Sequence, residues 1–412
     1  MKPKPPTVFW GNKRVTHAAI LAGQRQATVG RTQSYERILL VQDTSSFNFS
    51  HHPGAEGMGA LENPFCRGFL AHTTLAVSTT GVPLGVMEQQ VWVRSDEEAG
   101  KSEKRHERPF AEKESYKWVN GLPSAEILAQ LPKPVVVCDA ESHIYEFLDT
   151  VFERGTDFVV RAADARSFTT EGQALFEAVA QKSAQHTFTL SLRRRPDREA
   201  REANVELRFA PITIKRPKRA ATTSSTLTMW VVDVSEPHPP TGEKPVHWLL
   251  LTSIPVETIA EAQQITDWYT YRWLIERFHY VLKSGCKMEE RQLREEKRLE
   301  RLLAVFNLVA WKLLWVTYQA RLTPEEPCTV VLETDEWQAL YAFVNRSKRL
   351  PKVPPSLHQA VRWIGQLGGF LGRKGDGEPG VKVLWRGWTR LQDIVETWKL
   401  FNSLSPKDVG NV

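Results

Sequence analysis

The sequence predicts an α/β core with an inserted antiparallel β subdomain and an all-helical C-terminal region. Three observations point to it. Apolar runs at 37–43, 134–139 and 157–161 are short and unalternating, as strands buried on both faces of a sheet are, and the stretch 140–150 between the last two has helical spacing. The segments 186–193, 204–214 and 226–234 instead alternate apolar and polar residues, the pattern of antiparallel strands with one covered face. From residue 257 onward the period is helical through the rest of the chain.

Taken in order, residues 1–36 hold one short helical stretch at 16–26 and read as a residual N-terminal segment. Residues 37–164 read as the first part of the core. Its opening run stops at Asp43, strands are expected at 69–78 and 83–94 around a turn at 79–82, and the charged stretch 95–117 reads as loop running into helix. The run 134–139 repeats the first pattern and stops at Asp139. Residues 165–256 read as the β-rich insertion, projecting from the core and bounded by the prolines at 237–240. Its connections are basic, with ten basic against four acidic residues between 192 and 219, either solvated hairpin tips or DNA contacts. Residues 257–322 read as the second part of the core and 323–412 as a helical C-terminal region. There, apolar stripes at Leu357, Val361, Ile364, Leu367 and Phe370, then Leu384, Trp388, Leu391, Val395 and Trp398, have the spacing of packed helices. No internal repeat is visible.

Composition narrows the class. A length of 412 residues suits two to three domains, and 41% hydrophobic with 25% charged residues is the make-up of a packed globular protein. No apolar run reaches the roughly 18 residues of a membrane span; the nearest, 302–316, is broken by Asn307, Trp311 and Lys312. The basic N-terminus has no apolar stretch behind it, so no secretory signal is expected. Lys+Arg 54 against Asp+Glu 48 gives a net charge of +6, which admits an anionic partner without naming one. Cys66, Cys138, Cys286 and Cys328 lack the paired spacing of a zinc cluster and read as free thiols in a reducing compartment.

The segment 267–283 carries the most chemistry. Wound as one helix at about 100° per residue, it places Tyr269, Arg272, Glu276 and Lys283 within an arc of about 60°. Leu274, Ile275, Phe278, Val281 and Leu282 fall on the opposite, apolar side. A solvated face with an ion pair would explain part of this ridge, but Arg before Glu is the poorer orientation for stabilising a helix. A carboxylate among phosphate-binding groups suits metal-assisted phosphoryl chemistry. Asp43 and Asp139, each ending a buried strand, stand where ligand sites of α/β sheets collect, although either alone would serve as a helix cap. With Glu276 they could form a three-carboxylate site for Mg²⁺ or Mn²⁺, which prefer oxygen ligands.

These residues carry a resemblance. Tyr269, Arg272, Glu276 and Lys283, at spacings of three, four and seven residues, resemble the Tyr-Arg-Glu-Lys signature of bacterial cut-and-paste insertion-sequence DDE transposases with an RNase H-like catalytic core. The contexts of Asp43 (Val-Gln-Asp-Thr-Ser-Ser) and Asp139 (Val-Cys-Asp-Ala-Glu), the tract 112–118 and the tail 367–370 are similar to that family, so the likeness runs from about residue 10 to 400. It implies that Asp43, Asp139 and Glu276 hold two divalent cations, Mg²⁺ or Mn²⁺, per active site. It implies divalent-metal-dependent phosphodiester hydrolysis and strand transfer on double-stranded DNA, transposon ends and target alike, through a hairpin intermediate. Arg161, Tyr269, Arg272 and Lys283 would contact phosphates, and Trp248 would receive an extruded base, although as residues alone a core tryptophan is the simpler account of Trp248. The region 323–412 would serve dimerisation in a synaptic complex of two copies, in a bacterial cytoplasm at the nucleoid, without a membrane.

Tyr280 and Arg277 depart from the residues usual in relatives. The 42 residues before Asp43 lack a basic recognition helix, so the expectation is that the N-terminal end-binding domain is missing. An alternative of a different class follows, an N-terminally shortened inhibitor that pairs with full-length transposase without acting on DNA ends. An upstream start codon or a decayed element would account for the same observation.

Overall fold

A computed structural model describes residues 6–63, 65–95, 108–163, 167–192 and 199–403. Most of the charged stretch 95–117 and the arginine-rich 193–198 lie outside the described residues. Two compact units divide the chain, one formed by Ala18–Glu276 and the other by Met1–His17 with Arg277–Val412.

The unit Ala18–Glu276 is built on one sheet of ten strands. They are β1 (Ile38–Asn48), β2 (Gly59–Ala60), β3 (Arg67–Ser78), β4 (Pro83–Trp92), β5 (Pro134–Cys138), β6 (Asp157–Arg161), β7 (His186–Leu192), β8 (Arg201–Lys215), β9 (Thr226–Ser235) and β10 (His247–Thr252). Across the sheet they run β4, β3, β1, β5, β6, β10, β9, β8, β7, with the short β2 also on β3. β3 is antiparallel to both β4 and β1, while β1, β5 and β6 are parallel. That succession is the RNase H-like core. Ile38 to Val41, Val135 to Cys138 and Phe158 to Val160 are fully buried, which explains why these strands are apolar without alternation. The helices Tyr145–Glu153 and Ile259–Thr270 pack on them.

The inserted strands continue the core sheet. β10 lies antiparallel to β6, with Leu250 opposite Arg161, and carries β9, β8 and β7 beyond it. Exposure alternates along β8, as expected of one covered and one open face. The helix expected at 140–150 begins later, at Tyr145, because the Asp139 side chain caps a separate turn at Ala140–Ser142. Near the start of the chain, the helix His17–Thr32 outruns its expected end because Arg25 and Arg31 tie it to β4, their Nε atoms donating to the carbonyls of Met87 (2.8 Å) and Leu84 (2.6 Å).

The other unit is helical: Pro6–Gly11, Glu296–Leu322, Thr334–Asn345, Leu357–Leu367 and Val381–Ser403. Leu357, Val361, Ile364, Leu384, Leu391 and Val395 from the two apolar stripes are buried in its core. Glycine allows the last two helices to touch: a Cβ on Gly387 would stand 1.8 Å from the Ile364 carbonyl oxygen. Among the described residues no helix is long and apolar enough to cross a membrane, and all four cysteines are free.

Candidate active site

Strand register brings Asp43 and Asp139 together. In the parallel pair β1 and β5, Val41 lies beside Val137. Two residues on from each valine stands an aspartate, Asp43 inside β1 and Asp139 just past the end of β5 with its backbone still extended, so each follows the face of its valine because side chains repeat every second residue. Neighbouring strands lie about 4.8 Å apart, so the two carboxyls emerge side by side where β5 ends. Asp43 is held inside β1, and its Oδ1 accepts from the Thr44 N–H at 2.8 Å. Asp139 Oδ1 accepts from the Glu141 N–H at 3.0 Å, so this residue is a cap whatever else it does.

Glu276 joins them through an arginine. The Arg272 guanidinium pairs with the Glu276 carboxylate one turn on, and its Nη1 stands 3.9 Å from Asp43 Oδ2. Arg272 is nearly enclosed while Glu276 is half open, with side-chain exposures of 11% and 46%. Burial pushes the Asp43 carboxyl up to about 7; the charges of Asp139 and Glu276 push the same way, while Arg272 and the Thr44 N–H oppose them. Burial works against the Arg272 charge, but Tyr269, Glu276 and Asp43 outweigh it, and its pKa rises above the ordinary arginine value. This is a cluster of acids short of compensating charge.

The segment carrying Glu276 is not one continuous helix. The helix Ile259–Thr270 ends at Tyr271, a second runs Trp273–Tyr280, and a five-residue π turn, Val281–Gly285, follows. At the junction the bonds are three residues apart, Arg272 N–H to Tyr269 carbonyl (3.0 Å) and Leu274 N–H to Tyr271 carbonyl (2.9 Å). Such tightening brings residues i and i+3 into line, so Tyr269 eclipses Arg272. Tyr269 is therefore no part of an open ridge: it is 4% exposed, packed edge-on against Trp248 with ring centroids 5.2 Å apart. Burial raises the Tyr269 hydroxyl pKa, the Arg272 and Arg161 charges oppose the rise, and Asp139 adds to it. The phenol is thus a protonated donor beside two guanidinium groups.

Arg161 ends β6 and Trp248 lies in β10, next to its first residue; both are half-buried. Asp43, Asp139, Glu276, Arg161, Trp248, Tyr269 and Arg272 all belong to the unit Ala18–Glu276, whereas Lys283, in the π turn, belongs to the other.

Sequence reasoning passed over the groups that support these residues. Lys117 is buried, and its Nζ donates to Glu141 Oε1 at 2.9 Å, next to the Asp139 cap. Gln42 and Thr44, either side of Asp43, both meet His72 of β3. A polar residue on each side of an aspartate within a buried strand was the available signal.

Oxygen donors alone make up the acidic cluster, which suits Mg²⁺ or Mn²⁺. The raised Asp43 pKa, caused in part by its acidic neighbours, marks a place where a cation would relieve repulsion. In this arrangement the Glu276 carboxylate is taken by Arg272, and among the described residues no three His, Cys, Asp or Glu side chains stand close enough to hold a metal ion as they are. The donor chemistry fits; Glu276 would have to leave Arg272 to complete the set.

Comparison with known proteins adds three findings. Residues 96–311 match the family described as Transposase DDE domain, a span that includes Asp139 and Glu276 and begins after Asp43. Residues 308–407 match the Transposase Tn5 dimerisation domain. Among solved structures the chain is similar to a piggyBac transposase synaptic complex with hairpin DNA, at 9% identity and a TM-score of 0.35, over 90% of this chain and 54% of that one. The chain thus spans about half the length of that transposase.

Proposed function

The chain belongs to the DDE transposase family, and on that premise we propose that it catalyses cut-and-paste DNA transposition, with Asp43, Asp139 and Glu276 as its acidic triad. The observation that carries the proposal is the pairing of Val41 with Val137, each two residues before an aspartate, with Arg272 linking Asp43 to Glu276. The three carboxylates would hold two divalent cations. When bound, such ions supply activation of a water or 3′-hydroxyl nucleophile and neutralise charge at the leaving oxygen.

The protein groups do the rest. In each step an oxygen nucleophile forms a new bond to phosphorus as the bond to the leaving oxygen breaks: water nicks one strand, the freed 3′-hydroxyl attacks the opposite strand to give a hairpin, water reopens the hairpin, and the 3′-hydroxyl so released attacks target DNA. Arg161, Arg272 and the Tyr269 hydroxyl present donors to the phosphate oxygens, with Arg272 offering a planar fork. Trp248 takes the base extruded when the duplex is bent into a hairpin, where stacking is worth about 1–3 kcal/mol. Lys283 is read, by its place in the signature, as a further phosphate contact. The helical C-terminal region pairs two copies in a synaptic complex on DNA, in the bacterial cytoplasm at the nucleoid, consistent with its match to a dimerisation domain.

The test is Mn²⁺-dependent cleavage of a supercoiled plasmid carrying the DNA from both sides of the coding sequence. Glu276→Gln should fold normally and fall to background. Full cleavage by that variant would overturn the assignment.

A further inference from the structure

On the face of β1 opposite Asp43, the buried side chains of Gln42 and His72 and the half-buried Thr44 form a chain of bonds. His72 of β3 lies directly across from Thr44 in the antiparallel ladder and diagonally from Gln42. Its Nδ1 is 2.9 Å from Thr44 Oγ1 and its Nε2 is 3.1 Å from Gln42 Oε1. An amide oxygen only accepts, so Nε2 carries the proton, Nδ1 is the acceptor, and the Thr44 hydroxyl donates. The imidazole is fully buried and meets the Trp118 ring edge-on at 4.7 Å. Gly121 closes the pocket: a Cβ there would stand 2.7 Å from Gln42 Oε1 and 2.9 Å from His72 Nε2.

One ring thus grips the residues on both sides of Asp43. Thr44 passes that constraint on, since its N–H donates to Asp43 Oδ1 at 2.8 Å. We propose that His72 is a positioning residue that, through Thr44 and Gln42, fixes the direction in which the Asp43 carboxylate faces the metal site. This rests on the reading of Asp43 as a metal-binding residue. A carboxylate inside a strand can rotate about its own side-chain bonds even when its backbone is paired, and the Thr44 N–H selects one setting. A buried polar group that holds a ligand in this way changes metal affinity when removed, even though it never touches the ion.

The experiment is a titration of the full chain with Mn²⁺ alone, free Mn²⁺ being followed by electron paramagnetic resonance, with thermal unfolding recorded alongside. His72→Phe keeps the ring volume and removes both bonds; it should weaken Mn²⁺ binding about 10- to 100-fold. His72→Asn keeps an acceptor near the Nδ1 position and should recover most of the loss. Thr44→Val deletes the same hydroxyl from the other side and should weaken binding as His72→Phe does, which decides the matter if the phenylalanine variant does not fold. A purely structural role would lower the unfolding temperature and leave Mn²⁺ affinity within about twofold of the parent chain while Asp43→Ala loses it, and that result would overturn the proposal. Wild-type binding by Asp43→Ala would instead remove the metal-binding reading of Asp43, and the role of His72 with it.

Discussion

Replacing Asp43 by asparagine should stabilise the metal-free protein, and far more at pH 8 than at pH 4.5. The carboxyl is raised from 3.8 to about 7 by burial and by the neighbouring acids. Between those two values the folded chain keeps a proton that the unfolded chain has released, so this group's contribution to stability falls as pH rises from about 4 to about 7. A rise of about 3 pKa units costs the folded state about 4 kcal/mol once the group is ionised, at about 1.36 kcal/mol per unit. At pH 4.5 the same group costs only about 1 kcal/mol. Asparagine removes the charge and keeps an oxygen for the Thr44 N–H. In EDTA, the unfolding midpoint of the variant should exceed that of the parent at pH 8 by about 2–4 °C for each kcal/mol, and the gap should narrow sharply at pH 4.5. Millimolar Mn²⁺ should reverse the order, because under the proposed assignment only the parent keeps all three carboxylates. A variant no more stable than the parent at pH 8 in EDTA, or a gap that does not change with pH, would refute the account of a charge-strained acidic cluster.

Three further outcomes follow from the packing. Trp248→Ala should retain nicking and lose hairpin product by roughly 5- to 150-fold, the worth of about 1–3 kcal/mol of stacking, and an unchanged ratio of hairpin to nick on gels would remove Trp248 from the reaction. Arg272→Lys replaces a planar fork by a point charge that cannot serve Asp43 and Glu276 together, so cleavage should fall at least about tenfold; because Glu276 is half open, the unfolding free energy should move by less than about 1 kcal/mol. Gly387→Ala would set a Cβ 1.8 Å from the Ile364 carbonyl oxygen, and should destabilise the helical unit by about 3 kcal/mol or more, visible as a lower midpoint for its unfolding.

The sequence was most legible where a local pattern and a tertiary environment coincide. β1, β5 and β6 are apolar without alternation because both faces are covered, and the inserted strands alternate because one face is open. It was least legible where a pattern depends on a partner far along the chain. The wheel set Tyr269 on an open ridge because it assumed one regular helix; the tightened turn at Tyr271 and the Trp248 ring, 21 positions earlier, together bury it. Nothing in the run around Asp139 announces that its carboxyl also caps a turn, nor that the helix after it must therefore start at Tyr145.

The same distinction explains why the acidic residues could be singled out in the sequence and the groups bonded beside them could not. An acid at the end of an apolar run is conspicuous, and the meeting of Asp43 with Asp139 needs only that two such runs lie parallel and in register, which Val41 beside Val137 supplies. The groups that orient them are conspicuous only after pairing is known. His72 is one histidine in a buried strand until β3 is laid antiparallel on β1 and Thr44 falls opposite it; Lys117 is one more cation in a charged stretch until its Nζ reaches Glu141. A site of this kind is therefore written twice in the chain, once in composition, as acids where strands should be greasy, and once in register, as polar residues that matter only for what they face.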